Sequence, residues 1–313
     1  EEEREKKKKK SMASVVIPEI DMQDFERQSE KLIAACEEWG CFRLMNHGIP
    51  VTLMSEMKSL ARSLLDLPVE IKQRNADTVV GKGYSPRDMA NPLLEGLGVY
   101  DMASPGAVDT FCDQLKATPQ QRETILRYSH AVHELAQDIG QKLVESMGLD
   151  GELFKGWPCQ FRMNKYHFSP ETIGSSGAQM HTDAGFLTIV QDDEIVSGLE
   201  AVDKKSGALV PIDPIPGTLL INIGDLGKAW SNGRFYNVKH RVQCNEGKIR
   251  MSIALFVLGP KEAKVEAPAQ LVDSDHPRLF VPFSFEDYRT LRISTRSPTG
   301  GALEFLRVTG TTA

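Results

Sequence analysis

The sequence predicts a mixed α+β protein in which helices come first and an antiparallel β core of barrel or jelly-roll type follows. Apolar residues recur at helical spacing in several stretches up to Gly148. From Phe161 onward, short runs of β-branched and aromatic residues alternate with Gly, Pro, Asn and Asp turns. Many short strands at close spacing fit a barrel or jelly roll better than a parallel sheet, and no repeat period is visible.

Taken in order, Val15 to Ile17 reads as a short β run closed by Pro18. Asp21 is expected to cap a helix in which Phe25, Leu32, Ile33 and Cys36 recur up to Trp39-Gly40. Phe42 to Met45 reads as a strand ending in the turn Asn46-His47-Gly48, and a second helix is expected from Pro50 to about Leu67, stopped by Pro68. Residues 76–106, rich in Gly, Pro, Asn and Asp, read as an irregular region or a lid. A long helix follows Pro119, with Ile125, Val132, Leu135, Ile139 and Leu143 along one face. His130 and His133 lie on it three apart; with no third ligand nearby they read as ordinary residues of an amphipathic helix. Strands are expected at 161–168, 186–191, 198–203, 208–212, 218–223, 238–243, 249–257 and 264–266. No linker divides the body, so residues 12–313 are expected to form one domain, helix-rich to about 158, with a β core at about 159–260 and a C-terminal helix at about 283–295. Residues 1–11 read as a disordered basic extension or a cloning remnant ahead of Met12.

Composition narrows the function classes. The 313 residues are 41% hydrophobic and 26% charged, enough apolar chain for a real core, which excludes disorder or fibre as a description of the whole. The longest unbroken apolar stretch, Ile253 to Leu258, is far short of the ~20 residues that span a bilayer. The charged start has no hydrophobic segment after it, so no signal peptide is expected. The net charge is −6; six basic and four acidic residues among the first ten leave about −8 on the rest, which supports neither a nucleic-acid nor a membrane partner. Cys36, Cys41, Cys112, Cys159 and Cys244 form no C-x-x-C pair and are odd in number. They point to a reducing compartment, the cytoplasm, and away from a disulfide framework or a cysteine-bound zinc. Oligomeric state is not set by the sequence; a monomer is the default.

The sharpest motif is His181-Thr182-Asp183, with an isolated His240 beyond it. Two imidazoles and one carboxylate are the set that holds non-haem Fe(II) on one face, leaving positions open for substrate and dioxygen. On a strand, residues two apart point the same way, so His181 and Asp183 are expected to grip one ion together, with His240 brought in by folding. Alone, H-x-D is a weak signal that chance supplies often. It gains weight from Arg250-Met251-Ser252, where Arg250, Ser252, Ala254 and Phe256 share one strand face. A buried guanidinium beside a hydroxyl needs an anion, and no acid opposite it is evident in the sequence, so a bound small carboxylate would satisfy both groups; an internal salt bridge is the alternative. Arg162, Asn164 and Tyr166 alternate in the same manner, as a ligand wall or as a plain solvent face.

These residues resemble the plant-type Fe(II)/2-oxoglutarate-dependent dioxygenases. The match runs from about Val16 to Leu258 through Trp39-Gly40-Cys41-Phe42, Asn46-His47-Gly48-Ile49, Asn164-Lys165-Tyr166, His181-Thr182-Asp183, Leu187-Thr188, Gly198-Leu199, Pro216-Gly217, Asn222-Ile223-Gly224-Asp225, Ser231-Asn232-Gly233, His240 and Arg250-x-Ser252. The resemblance implies a double-stranded β-helix (jelly roll) with flanking helices, and iron held by His181, Asp183 and His240. It further implies that Arg250, Ser252 and Tyr166 hold the distal carboxylate of 2-oxoglutarate, with Asn164 beside the metal. Fe(II), 2-oxoglutarate and O2 are the implied cofactor and cosubstrates, and ascorbate a supporting reductant. One departure is His167, where the family usually has proline after the tyrosine; His167 is expected off the cavity face.

Within the family, the short chain and the run His181 to Ile189 look most like the auxin-oxidising dioxygenases, which implies conversion of indole-3-acetic acid to 2-oxindole-3-acetic acid. An indole acid asks for an aromatic slot and a cation. Phe256 and Arg162 are the first candidates, and Tyr84 and Phe186 are further ones. Alternatives are the same chemistry on a gibberellin, flavonoid or other specialised metabolite, an oxidase that uses iron without 2-oxoglutarate, or a non-enzymatic small-molecule receptor on this scaffold.

Overall fold

A computed structural model describes residues 16–76, 83–89 and 91–308; the expected basic extension and Val15 lie outside them. Among the described residues, eleven strands form two sheets. They are β1 (Glu19–Asp21), β2 (Cys41–Met45), β3 (Leu94–Val99), β4 (Cys159–Tyr166), β5 (Ser176–His181), β6 (Leu187–Gln191), β7 (Leu199–Val202), β8 (Leu209–Pro211), β9 (Leu219–Ile223), β10 (His240–Gln243) and β11 (Arg250–Val257). The larger sheet runs β1-β2-β9-β6-β11-β4-β3 and the smaller β5-β10-β7-β8. Only β1 and β2 pair in parallel. This is the expected mixed α+β architecture with a jelly-roll core.

Strand alternation divides the larger sheet into two faces. On β4, Cys159, Phe161 and Met163 are buried against helices, with the Phe161 ring 5.9 Å from that of Tyr128. The opposite face, carrying Arg162, Asn164 and Tyr166, looks toward the smaller sheet across a second apolar cluster that includes Tyr166, Ala178, Leu199 and Val242. The helices are α1 (Ser29–Glu38), α2 (Val51–Leu65), α3 (Val69–Lys72), α4 (Ala107–Leu115), α5 (Pro119–Ser146), α6 (Asp225–Trp230) and α7 (Phe285–Ser294). The long α5 starts where Thr118 and Gln121 form a reciprocal capping box and Pro119 takes the first turn. Its buried stripe is the expected one, Ile125, Val132, Leu135, Ile139 and Leu143. The five cysteines are buried and free, and no described helix is long and apolar enough to cross a membrane.

Several expectations are corrected. Asp21 ends strand β1 rather than capping a helix, and α1 starts only at Ser29. The β segment lies after Pro18, because Glu19 to Asp21 pair with Arg43 to Met45. The region 76–106 contains β3, whose glycines hid a strand that completes the sheet beside β4. At 264–266 only one bridge forms, Val265 with Phe283. Strand β5 is not among the expected strands, since Ser-Gly-Ala-Gln-Met-His has low β propensity and is held by pairing with β10.

Gly140 on α5 is a packing requirement. A Cβ there would lie 2.5 Å from the ring of Phe154, which is fully buried edge-on to Phe186 at 4.9 Å. Helix propensity alone gives Gly140→Ala about 1 kcal/mol of extra stability. Overpacking costs about 1–3 kcal/mol, so thermal unfolding of Gly140→Ala should show a lowered Tm.

Candidate metal and cosubstrate centre

The antiparallel pairing of β5 with β10 sets His240 opposite His181, their ring centroids 4.3 Å apart. Asp183 does not share a strand face with His181 as expected: β5 ends at His181, and Asp183 is carried by the turn that follows. It still reaches the same point. Asp183 Oδ1 lies 3.7 Å from Nε2 of His181 and 3.8 Å from Nε2 of His240, and one ligand atom from each residue falls within 4.8 Å of the others.

Hydrogen bonding decides which ring nitrogens face inward. Nδ1 of His181 donates to the Gln179 carbonyl at 2.7 Å, and Nδ1 of His240 to the Val238 carbonyl at 3.2 Å. A carbonyl only accepts, so both Nδ1 atoms carry a proton and both Nε2 atoms face Asp183. The Thr188 hydroxyl donates to Asp183 Oδ2 at 2.6 Å. Burial and the neighbouring His240 push the His181 pKa down to about 4. Burial pushes the Asp183 carboxyl up, but His240, His181, the Thr188 hydroxyl and Arg292 together hold it below its usual range. Two ring nitrogens and one carboxylate thus converge, an arrangement that fits a divalent cation with nitrogen and oxygen ligands.

Beside this trio, the register of β4 on β11 merges the two polar faces into one wall: Arg250 opposes Tyr166, Ser252 opposes Asn164 and Ala254 opposes Arg162. Arg250 is 1% exposed, and its guanidinium lies 4.9 Å from the centroid of the Tyr166 ring. The expectation that no protein acid faces it is corrected, since Asp192, just after β6, accepts from Nη2. Burial lifts the Asp192 pKa above its ordinary range even with Arg250 against it. That contact leaves Nε and Nη1 of Arg250 buried without a hydrogen-bond partner. Unpaired guanidinium nitrogens are costly, so this edge is a built seat for an anion. It lines a cavity of about 210 Å³ shared with Ser252, Asn164, Tyr166 and the metal trio. A 2-oxo diacid fits this donor set, one end on Arg250 and Ser252 and the other toward the trio.

A second cavity of about 640 Å³ abuts the first, and Arg162, His181, Asp183 and Phe256 line both. Of the residues proposed for an indole acid, Arg162 and Phe256 line both cavities. Tyr84 and Phe186 do not. Tyr84 lines neither cavity, and its hydroxyl donates to Glu95 at 2.8 Å. Phe186 is fully buried among Phe154, Trp157 and Trp230 on the helix side. His167 is off the cavity, its Nε2 2.9 Å from Glu95. Sequence reasoning missed Thr188 and Asp192, and it missed Arg289, Arg292 and Arg296, which line the larger cavity from α7 and its C-terminal end. Arginines three and four apart on and just after a helix look like an ordinary solvated surface, so no local signal marks them.

A jelly roll enclosing a two-imidazole, one-carboxylate centre with an anion seat beside it defines a non-haem, metal-dependent oxygenase. The chain belongs to the 2OG-Fe(II) oxygenase superfamily, whose model matches residues 157–259, while residues 17–104 match the model described as non-haem dioxygenase in morphine synthesis N-terminal. It is 49% identical over 294 residues to the 2-oxoglutarate-dependent dioxygenase DAO of Oryza sativa subsp. indica, covering 92% of this chain and 98% of that relative. It is similar to the crystal structure of the rice dioxygenase for auxin oxidation, with a TM-score of 0.87 and 47% identity, covering 93% of this chain and 100% of that one. It is also similar to dioxygenase for auxin oxidation 1 from Arabidopsis thaliana in its binary complex with 2-oxoglutarate, with a TM-score of 0.82 and 53% identity, covering 84% of this chain and 100% of that one. The protein is a 2-oxoglutarate-dependent dioxygenase that uses Fe(II).

Groups that orient a metal ligand typically contribute 10–100-fold in affinity. Thr188→Val, which removes only the hydrogen bond to Asp183, should weaken cobalt(II) or iron(II) binding by about that factor in anaerobic titration, with thermal unfolding of the metal-free protein little changed.

Proposed function

We propose that the protein oxidises indole-3-acetic acid to 2-oxindole-3-acetic acid, with 2-oxoglutarate converted to succinate and carbon dioxide. In this reading His181, Asp183 and His240 hold Fe(II). Arg250, Ser252 and Tyr166 hold the distal carboxylate of the cosubstrate, and Asn164, 3.4 Å from the Ser252 hydroxyl, orders the wall beside the metal. Bound iron supplies the dioxygen chemistry, coupling cosubstrate decarboxylation to oxygen insertion. The chain's own residues set orientation and exclude water.

The observation that carries the substrate assignment is the shared rim of the two cavities. It places an aromatic face, Phe256, and a cation, Arg162, next to the metal trio. The larger cavity adds apolar walls from Leu258, Phe285 and Ile293 for a ring, and Arg289 and Arg296 at its border for a carboxylate. Burial acts against the charge of Arg162, which an incoming carboxylate would offset. The similarity to two auxin-oxidising enzymes supports the same substrate class. The five buried free thiols support action in the cytoplasm.

Arg296 adds a second line of support. It follows α7 in the left-handed region, at φ 49°, where helices ordinarily place glycine. An arginine accepted there, exposed and at the cavity border, suits a functional role better than a structural one.

Reconstitution with Fe(II), 2-oxoglutarate and indole-3-acetate without oxygen, followed by oxygen exposure, should release succinate and a product heavier by one oxygen atom. Oxygen uptake only with other acids would move the substrate to a gibberellin, flavonoid or related metabolite, and no uptake with any acid would favour a receptor. Arg162→Ala should raise KM for indole-3-acetate at least tenfold while leaving KM for 2-oxoglutarate near that of the parent; unchanged apparent affinity would remove Arg162 from this role. Arg296→Gly should stabilise the fold by about 1 kcal/mol through relief of the left-handed backbone and yet raise KM for the acid, a pair of opposed effects read from Tm and steady-state kinetics.

A further inference from the structure

Arg292 lines the larger cavity together with Arg289 and Arg296, yet its guanidinium points elsewhere. Nη1 donates to the Thr182 hydroxyl at 3.0 Å and to Asp225 Oδ2. Nη2 donates to the Thr182 carbonyl and, at 2.7 Å, to the Pro298 carbonyl. All four terminal N–H groups are therefore engaged, and none is left for a bidentate hold on a substrate carboxylate.

The acceptors of Arg292 share a location. Thr182 stands between the two ligand residues His181 and Asp183. Besides its contacts to Arg292, its backbone N–H donates to the Pro298 carbonyl at 2.9 Å. Asp225, whose side chain is 0% exposed, accepts from the Asn237 amide at 2.7 Å and the Tyr288 hydroxyl at 2.5 Å. Its own backbone N–H donates to the Asp183 carbonyl at 2.8 Å. The packing leaves no slack: a Cβ on Gly224 would lie 2.8 Å from that carbonyl, and one on Gly300 would lie 2.5 Å from the Asn237 amide nitrogen. Asp183 sits beyond the end of β5, so no strand ladder fixes it. These contacts fix it instead, and three of their residues, Tyr288, Arg292 and Pro298, belong to α7 or the segment after it.

We propose that Arg292 is a positioning residue for the metal-binding turn, clamping Thr182 through Asp225 and Pro298, and that it does not hold the substrate carboxylate. The helix that borders the substrate cavity and the turn that carries Asp183 are then one mechanical unit. The inference rests on the metal role of His181, Asp183 and His240 and is independent of which acid is oxidised.

The test is anaerobic titration of the full chain with cobalt(II), without any organic substrate, followed by addition of iron(II) and 2-oxoglutarate to read the charge-transfer band they give together. Arg292→Met should weaken cobalt affinity 10–100-fold, the range for groups that orient metal ligands, and diminish the band at subsaturating iron. Arg127→Met, at a half-exposed arginine of α5 that lies 3.8 Å from Glu56, should leave both as in the parent. Should Arg292→Met fail to fold by circular dichroism, Arg292→Lys decides by the same criteria, because a single ammonium keeps the charge but cannot span the four acceptors. Parent-like cobalt affinity in a folded Arg292 variant, with only KM for the acid raised, would overturn the proposal. Failure of the unmodified protein to bind cobalt or iron would instead overturn the metal reading beneath it.

Discussion

Three ligand atoms, Nε2 of His181, Nε2 of His240 and a carboxylate oxygen of Asp183, face one another from two strands and a turn. Much of the architecture serves to hold this arrangement. Strand pairing faces one imidazole with the other, two backbone carbonyls fix the tautomers, Thr188 takes up one carboxylate oxygen, and a buried network behind Thr182 supports the turn. Such a set of constraints fixes which atoms can meet at one cation, and in that sense its binding is written into the fold.

How much of this was legible in the sequence follows from the range of each interaction. The period-two pattern of Arg250, Ser252, Ala254 and Phe256, and of Arg162, Asn164 and Tyr166, is local, so which residues share a face is legible, although for the second set the pattern leaves ligand wall and solvent face both open. Their merger into one wall depends on the register of β4 against β11, which no local pattern states. The metal trio was legible from residue chemistry, although its geometry was not: His-x-Asp looks like strand alternation, while Asp183 is placed by contacts with Asp225 and the C-terminal segment. Asp192 was invisible as the partner of Arg250, because distant residues meet only after the sheet has formed. The β3 strand and the β5 strand, short of β-branched residues, are held by their neighbours rather than by their own propensity.

Arginines illustrate how burial and partners separate residues of one type. Arg250 keeps an unpaired edge inside the smaller cavity. Arg292 has its terminal donors engaged by the protein. Arg289 is tied to Glu286 at the helix surface, and Arg296 is exposed beside the cavity. Residue type and spacing alone would group the three on the last helix and its end; their hydrogen bonds distinguish them.

The contact between Asp192 and Arg250 has a consequence for turnover. With a carboxylate already resting on one side, the guanidinium is never bare in a dry interior, whether the seat is full or vacant. If, as proposed, Arg250 holds the distal carboxylate of the cosubstrate, succinate, which retains that group, would depart without stripping a buried cation of its last counter-charge. In that assignment Asp192 would lower the penalty of letting go, so that a pocket built for capture would also release.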